Sequence, residues 1–478
     1  MPLLDSAGSP RYFLRRKLHF YLTLAVIATT LFSWYNINSY CILLLLLCRL
    51  LDGPVLVSLR RTFTNKYFLA FFSLFVIEVL SLLYTHDFFR AWKHVESKAT
   101  LAAIPFILCA GPFTDKMGRQ RLLSSFCLLL FGISCYCLII AFWQYNLYKD
   151  PIVFFYHTLT EPVGVNAVFF SAYVICALLY LLSYPLLFPW QSSIPLAPMT
   201  RQAANADAFV TIRQTYPTGS ASQHPTTDPS GPIDPQFSQA AAYPHTSRVI
   251  RTLRVGLILF FIGMMVLLAS KLLLILLVIV LITFLIARFN LGKNPAPILG
   301  LGLLVILGIG MVVFTDNPVI RRYKDITQGD IALYQKDMIP EETVFNGVSL
   351  RLVIWKYSYE ILNDKSAWLF GVTAGDCQNL LDDKYVATGI NQGYLGYNFH
   401  NQFIEIAVRS GLIGLAVFVV SCVILLKIAA AVRTREAWFT VILILLLYLT
   451  ESSLEMQHST FLSCFFPLLL LSELKPRT

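Results

Sequence analysis

A histidine and an asparagine open a long apolar run: His400-Asn401-Gln402-Phe403-Ile404-Glu405-Ile406-Ala407-Val408-Arg409-Ser410-Gly411-Leu412-Ile413-Gly414. Imidazole is the side chain best suited to take or give a proton near neutral pH. An ionisable group at the mouth of a membrane helix marks a functional site by default. On a helix at about 100° per residue, His400 and Gly411 point the same way within roughly 20°. Gly414 lies within about 40° of the same line. The spacing predicts one helical face that carries His400 at its end and continues as a smooth groove for a close-packed helix or lipid. Asn401 is placed to orient His400 or to cap the helix. Glu405 and Arg409, four residues apart, are spaced to pair.

Cations supply the second ingredient. Ser270-Lys271 interrupts an apolar run from Val255 to Ala287 that is too long for one span. A lysine at the centre of a single lipid-facing helix costs about 3 kcal/mol. A hairpin turning at Ser270-Lys271 avoids that cost, with arms of about 24 Å. Arg90, Lys93, His94 and Lys98 precede another apolar helix, and Arg90 and Lys93 read as an amphipathic interfacial segment. Further along stand Arg321, Arg322 and Lys324, then Arg351 with Trp355. The polar segment that holds them has more acidic than basic residues, so an anion site there must be built from particular side chains. The sequence has no Asp-x-Asp pair at a helix mouth, no nucleophile elbow and no Walker loop. Cations around a cavity that opens into lipid suit an anionic lipid such as a lipid diphosphate.

The elements that must position these residues follow from composition. The chain has 478 residues, 56% hydrophobic and 13% charged, with mean hydropathy +0.65. Those values belong to polytopic membrane proteins. Apolar runs of spanning character fall near 18–34, 37–52, 67–84, 99–112, 122–144, 165–188, 255–270, 272–287, 296–314, 401–426, 437–450 and 459–472. They predict an all-α polytopic membrane protein with about twelve transmembrane helices. The basic N-terminus leads into a retained first span rather than a cleaved signal. The net charge of +10 sits just outside apolar runs: Arg60, Arg61 and Lys66; Lys116, Arg119 and Arg121; Arg288 and Lys293; Lys427, Arg433 and Arg435; Lys475 and Arg477. That is the positive-inside pattern with both termini cytoplasmic, and it argues against a nucleic-acid partner.

The predicted organisation is six spans in 1–188, a polar and largely disordered cytoplasmic insert at 189–253, and three spans in 254–314. A large folded extracytoplasmic loop follows at 315–399, with a helical pattern from Val348 to Leu362, and three spans occupy 400–478. There is no internal repeat. Nine of the ten cysteines lie in or beside apolar segments, and only Cys377 lies in a polar one. They read as small buried hydrophobes, without a disulfide framework or metal-ligand spacing.

These residues resemble the O-antigen ligase superfamily of bacterial inner-membrane glycosyltransferases. The family signature is His, then Asn, Ser or Gln, nine residues, Gly, two residues, and a small residue or Tyr. His400, Asn401, Gly411 and Gly414 meet it. Arg351 with Trp355, followed by Leu369-Phe370-Gly371-Val372-Thr373-Ala374-Gly375-Asp376, is similar to the family's outer-loop pattern. Ser270-Lys271 resembles its Ser-Arg/Lys hairpin, although lysine lacks the bidentate fork of arginine. Glu96 and Lys98 before Leu101 and Pro105 look like its fourth-helix entrance. The resemblance covers roughly 18–472 and leaves out the insert at 189–253.

The resemblance implies a GT-C-like fold and transfer of a glycan from an undecaprenyl-diphosphate carrier to a hydroxyl acceptor, lipid A–core above all. The implied transfer is inverting and independent of metal or other cofactor. It implies His400 as the base and Arg351 as its catalytic partner. Lys271, Arg322, Lys98 and Arg321 would hold the diphosphate, with Asn401, Gly411, Gly414 and Trp355 in support. The site would face the periplasm. Superfamily motifs are shared by polysaccharide polymerases and protein O-glycosylating enzymes. A flippase or transporter would share the cationic cavity, but would more often show inverted repeats and helices broken at the midplane.

Overall fold

The computed structural model describes residues 10–51, 59–60, 62–109, 116–187, 248–289 and 331–471. Among these residues the secondary structure is helical, without strands. The helices are α1 (Pro10–Leu31), α2 (Tyr35–Leu51), α3 (Lys66–Ser81), α4 (Phe88–Lys98), α5 (Thr100–Cys109), α6 (Lys116–Tyr148), α7 (Tyr156–Thr160) and α8 (Ala167–Ser183). They continue as α9 (Arg248–Leu268), α10 (Lys271–Phe289), α11 (Gly347–Asp364), α12 (Cys377–Ala387), α13 (Gln402–Val432), α14 (Arg435–Thr450) and α15 (Gln457–Leu471).

Short polar residues set the starts. Asn65 caps α3, Asp87 caps α4, Asn166 caps α8 and Thr434 caps α14, each accepting a backbone N–H of the first turn. Asn346 and Ser349 form a reciprocal capping box on α11, which satisfies two otherwise orphaned donors. The apolar faces then decide packing. α8 is buried almost all round, as befits the centre of a bundle. It packs on α9, α6, α10, α14 and α15. α13 lies against α3 and α14, and α15 against α5.

Among the described residues three helices are long and apolar enough to cross a membrane: Met117–Tyr148, Arg248–Leu268 and Gln402–Val432. Tyr156–Val163 and Ala167–Ser183 add a fourth if they form one span bent by 82°. The chain is thus a multi-pass membrane protein. The hydropathy runs predict about twelve spans, but several described apolar helices fall short of the ~20 residues that a full crossing needs. The run at 296–314 lies outside the described residues, as do Arg321 and Arg322.

One boundary differs from the sequence expectation and another agrees with it. α9 begins at Arg248, inside the segment read as polar insert, because Arg248, Arg251 and Arg254 fall on a helix that continues from the apolar run. The turn between α9 and α10 sits where Ser270-Lys271 predicts it, with Ala269 in the left-handed region at φ 47°.

A second difference concerns the histidine itself. His400 precedes α13, with φ 48°, and Asn401 is the N-cap. Gly411 has φ 65° and ψ −166°, so α13 is broken there. His400 and Gly411 therefore do not share a helical face. The periodicity argument assumed unbroken helical geometry, which a capped start and a glycine break both interrupt.

Candidate active site

The break in α13 is filled by another part of the chain. Leu412 N–H donates to Trp368 O at 2.8 Å, and Ile413 N–H to Leu369 O at 3.3 Å. In return Val372 N–H donates to Val408 O at 2.8 Å, and Thr373 N–H to Arg409 O at 2.9 Å. The 368–373 strap thus satisfies backbone groups that a broken helix frees, which a membrane segment cannot leave unpaired. Both glycines are required by the approach. A Cβ on Gly371 (φ 74°) would overlap the Arg409 backbone, and one on Gly411 would overlap the Leu369 backbone. The glycine-rich turn continues to Asp376, whose carboxylate accepts the N–H groups of His86 and Asp87 and the Thr373 hydroxyl. Burial opposes its charge, but these donors hold the carboxyl below its ordinary value. The strap and turn therefore fix α12 and the start of α4 relative to α13. Next along the chain, burial pushes the Cys377 thiol up to about 12, which leaves it an inert core group.

His400 is held from several sides. Asn398 Oδ1 accepts its backbone N–H at 3.0 Å. Trp355 Nε1 donates to the adjacent Phe399 O at 3.2 Å, and the Tyr397 ring meets the imidazole edge to face. Asn401 caps Phe403 and Ile404 through Oδ1 while its Nδ2 donates to Leu449 O. Its role is thus to cap α13 and tie it to the end of α14. His400 Nδ1 lies 3.2 Å from Glu451 Oε2. Its Nε2 is buried and has no hydrogen-bond partner among the described residues. Glu451 Oε1 accepts from Arg351 at 3.0 Å. Arg351 also donates to Thr450 O and Gly347 O, and its Nε has no partner among the described residues. Glu451 thereby joins His400 and Arg351, which lie on different elements.

Glu451 opens a short connection between α14 and α15, Glu451-Ser452-Ser453-Leu454-Glu455. Its other end enters a buried ion network. Arg409, 3% exposed, donates to Glu405 at 2.6 Å, Glu455 at 2.7 Å and Glu78 at 3.3 Å. It also donates to His94 Nε2 at 2.7 Å. Burial, Arg409 and Lys98 lower the His94 pKa, so the neutral ring accepts that bond. Glu455 would be raised by burial, but Arg409 and Lys98 hold it well below its ordinary value.

Lys98 donates to Leu454 O and to Glu455 Oε1. Its ammonium is buried in this network, where carboxylate and carbonyl are its partners. Glu405 reaches back to the site: its Oε2 accepts the Ser452 hydroxyl and Phe399 N–H. Gln402 Oε1 accepts Leu454 N–H at 2.6 Å. Beside the network, Glu78, Lys98, Gln402, Gly414 and Glu455 line a cavity of about 10 Å³, room for about one water.

The structure thus brings together His400, Arg351, Asn401 and Trp355, places Lys98 in the adjoining network, and sets Gly411 and Gly414 at the helix break. Lys271 stands half-buried at the α9–α10 turn. Glu451 and Glu455 are additions that sequence reasoning missed. Their signal was present: two carboxylates within five residues, flanked by apolar runs on both sides, where acidic side chains are costly unless used. Among the described residues no group of three or more His, Cys, Asp and Glu is arranged to hold a metal ion.

Residues 256–419 match the family model described as O-antigen ligase. No curated protein matches the chain. The matched stretch includes Arg351, His400, Asn401, Gly411 and Gly414; Lys98, Glu451 and Glu455 lie outside it. Over that stretch, which runs from α9 across the broken helix, the chain is similar to the O-antigen ligase family.

Proposed function

We propose that the protein is an O-antigen ligase. It transfers a glycan from an undecaprenyl-diphosphate carrier to a hydroxyl of lipid A–core, at the periplasmic face of the bacterial inner membrane. The observation that carries this reading is the pairing of His400 Nδ1 with Glu451 while Nε2 is left buried and without partner among the described residues. A carboxylate at Nδ1 favours the tautomer with its proton there, so Nε2 presents a lone pair.

In the proposed step the acceptor oxygen attacks the anomeric carbon from the face opposite the diphosphate. The bond from that carbon to the diphosphate oxygen breaks, its electron pair leaves with the diphosphate, and the configuration inverts. The acceptor proton passes to His400 Nε2. Glu451 then faces an imidazolium and stabilises it, the logic of a histidine oriented by a buried acid. Arg351, anchored by Glu451 and two backbone carbonyls, supplies fixed positive charge for the leaving group. Lys271, through its likeness to the family's hairpin, and Arg321 and Arg322, through their charge, are assigned to the same task. Lys98 is assigned more narrowly, to holding Glu455 and Leu454 behind the site.

The test is a lipopolysaccharide gel from a deletion strain complemented with wild type or His400→Ala, with carrier-linked glycan extracted in parallel. A ligase predicts loss of the long-chain ladder and accumulation of full-length polymer on the carrier, rescued by wild type alone. A ladder that collapses to one attached repeat would instead identify a polymerase. An unchanged ladder would remove the ligase reading.

A further inference from the structure

The outward surface of α4 and the tip of the 368–373 strap share an unusual property. Around α4, Ala91, Val95 and Lys98 are buried on one side. Phe88, Phe89 and Trp92 stand on an adjacent exposed arc, and Phe89 is 68% exposed. At about 100° per residue the three aromatics span one arc of roughly 100°, with exposed Glu96 at the C-terminal end of the same arc, and Lys93, Ser97 and Arg90 occupy the next. Phe88 stacks on Trp92, and the Lys93 ammonium lies over the Phe89 ring. A helix with aromatic and basic arcs side by side, and a third arc packed on protein, has the pattern of a helix lying in a bilayer interface.

The strap gives an independent sign of depth. Leu369 and Phe370 are 53% and 57% exposed. The strap is bonded directly to Leu412 and Ile413, which are themselves exposed on the membrane-crossing helix α13. Exposed leucine and isoleucine on a spanning helix face lipid. Leu369 and Phe370 therefore continue a lipid-facing surface, and Trp368 stands beside them. Tyr84 links the two regions, because its hydroxyl donates to Phe370 O at 2.8 Å just before α4 begins.

We propose that the aromatic edge of α4 and the Trp368–Phe370 tip insert into the outer part of one bilayer leaflet, forming a lipid-anchored rim on the catalytic side of the protein. The occupant of this surface is the headgroup and upper acyl-chain region of the bilayer. Continuity with the exposed face of α13 selects lipid over a partner protein. The rim holds the 331–399 segment at lipid depth through the strap and through Asp376. A lipid-borne diphosphate lies at that same depth. The proposal does not depend on the identity of the acceptor.

The full chain is reconstituted into nanodiscs of phosphatidylcholine and phosphatidylglycerol, with or without chains brominated near the headgroup. The tryptophan emission lost in Trp92→Phe and in Trp368→Phe gives the contribution of each residue among the seven tryptophans. Both contributions should lose most of their intensity with brominated lipid and little with aqueous iodide. If either contribution is quenched by iodide but not by brominated lipid, or by neither, the proposal is overturned; the second pattern would mean that protein covers the surface. Should a tryptophan variant fail to fold, Phe370→Cys carrying an environment-sensitive fluorophore gives the same reading. Blue-shifted emission in nanodiscs is expected, and water-like emission overturns the proposal.

Discussion

Replacing Glu451 by glutamine tests the centre of the catalytic reasoning. The wild-type carboxylate accepts from Arg351 through Oε1 at 3.0 Å and pairs with His400 Nδ1 through Oε2 at 3.2 Å. Glutamine keeps the shape but has one accepting atom. Whichever partner keeps the oxygen, the other meets an NH₂ group. The negative charge that would stabilise an imidazolium is also gone. Hydrogen bonds to charged groups contribute about 1.5–3 kcal/mol each, so losing one of the two costs about 1.5–3 kcal/mol. At about 1.4 kcal/mol per decade of rate, transfer should slow roughly 10- to 10²-fold.

The assay is in vitro transfer from a lipid-diphosphate glycan to a defined acceptor by purified protein in nanodiscs, with kcat and KM measured separately. The loss should fall mainly on kcat, because the interaction grows as the proton is taken. A cycle with His400→Ala supplies the control: once the imidazole is gone, Glu451→Gln should cost little more. Transfer within about threefold of wild type, or a loss that simply multiplies that of His400→Ala, would refute the dyad, since a lost orienting acid should act through its histidine.

Two further outcomes follow from the geometry. Gly411→Ala must place a Cβ against the Leu369 backbone at φ 65°; the left-handed conformation alone costs about 1–2 kcal/mol, so thermal unfolding in detergent should shift clearly downward, and an unchanged Tm would mean the strap is not packed as described. Asp376 has a folded pKa below its ordinary 3.8, so its stabilising contribution is complete above that value and is lost as pH falls below it. Wild type should therefore lose more stability than Asp376→Asn between neutral pH and pH about 3, near the ordinary carboxylate range; parallel acid-unfolding curves would contradict the assigned hydrogen bonds.

Much of this was legible in the chain. The apolar runs locate the helices, because lipid demands long apolar segments with internally satisfied backbones. The Ser270-Lys271 turn and the helix at 347–364 also follow from local pattern, as does the Glu405–Arg409 pair. His400, Asn401 and the two glycines are recognisable from type and spacing. The purpose of the glycines is not: Gly411 could be read as a smooth helical face until the strap was seen to enter a break, accompanied by Gly371. Local periodicity carries no information about a segment forty residues away that takes over a helix's hydrogen bonds.

The same limit hid Glu451 and Glu455. The sequence by itself determined a membrane-embedded helical chain with a histidine at a helix start and cations spread over several segments. Only the tertiary structure decided which cation and which acid meet that histidine. Arg351 lies 49 residues before His400 and Glu451 lies 51 after it in the numbering, yet Arg351 and His400 both meet the Glu451 carboxylate. Lys98 is as cationic as Arg351 by type, but burial beside Glu455 commits it to a different set of bonds. The charge of a side chain is written in the sequence. Its partner, desolvation and remaining free donors depend on packing between distant segments, which no local spacing encodes.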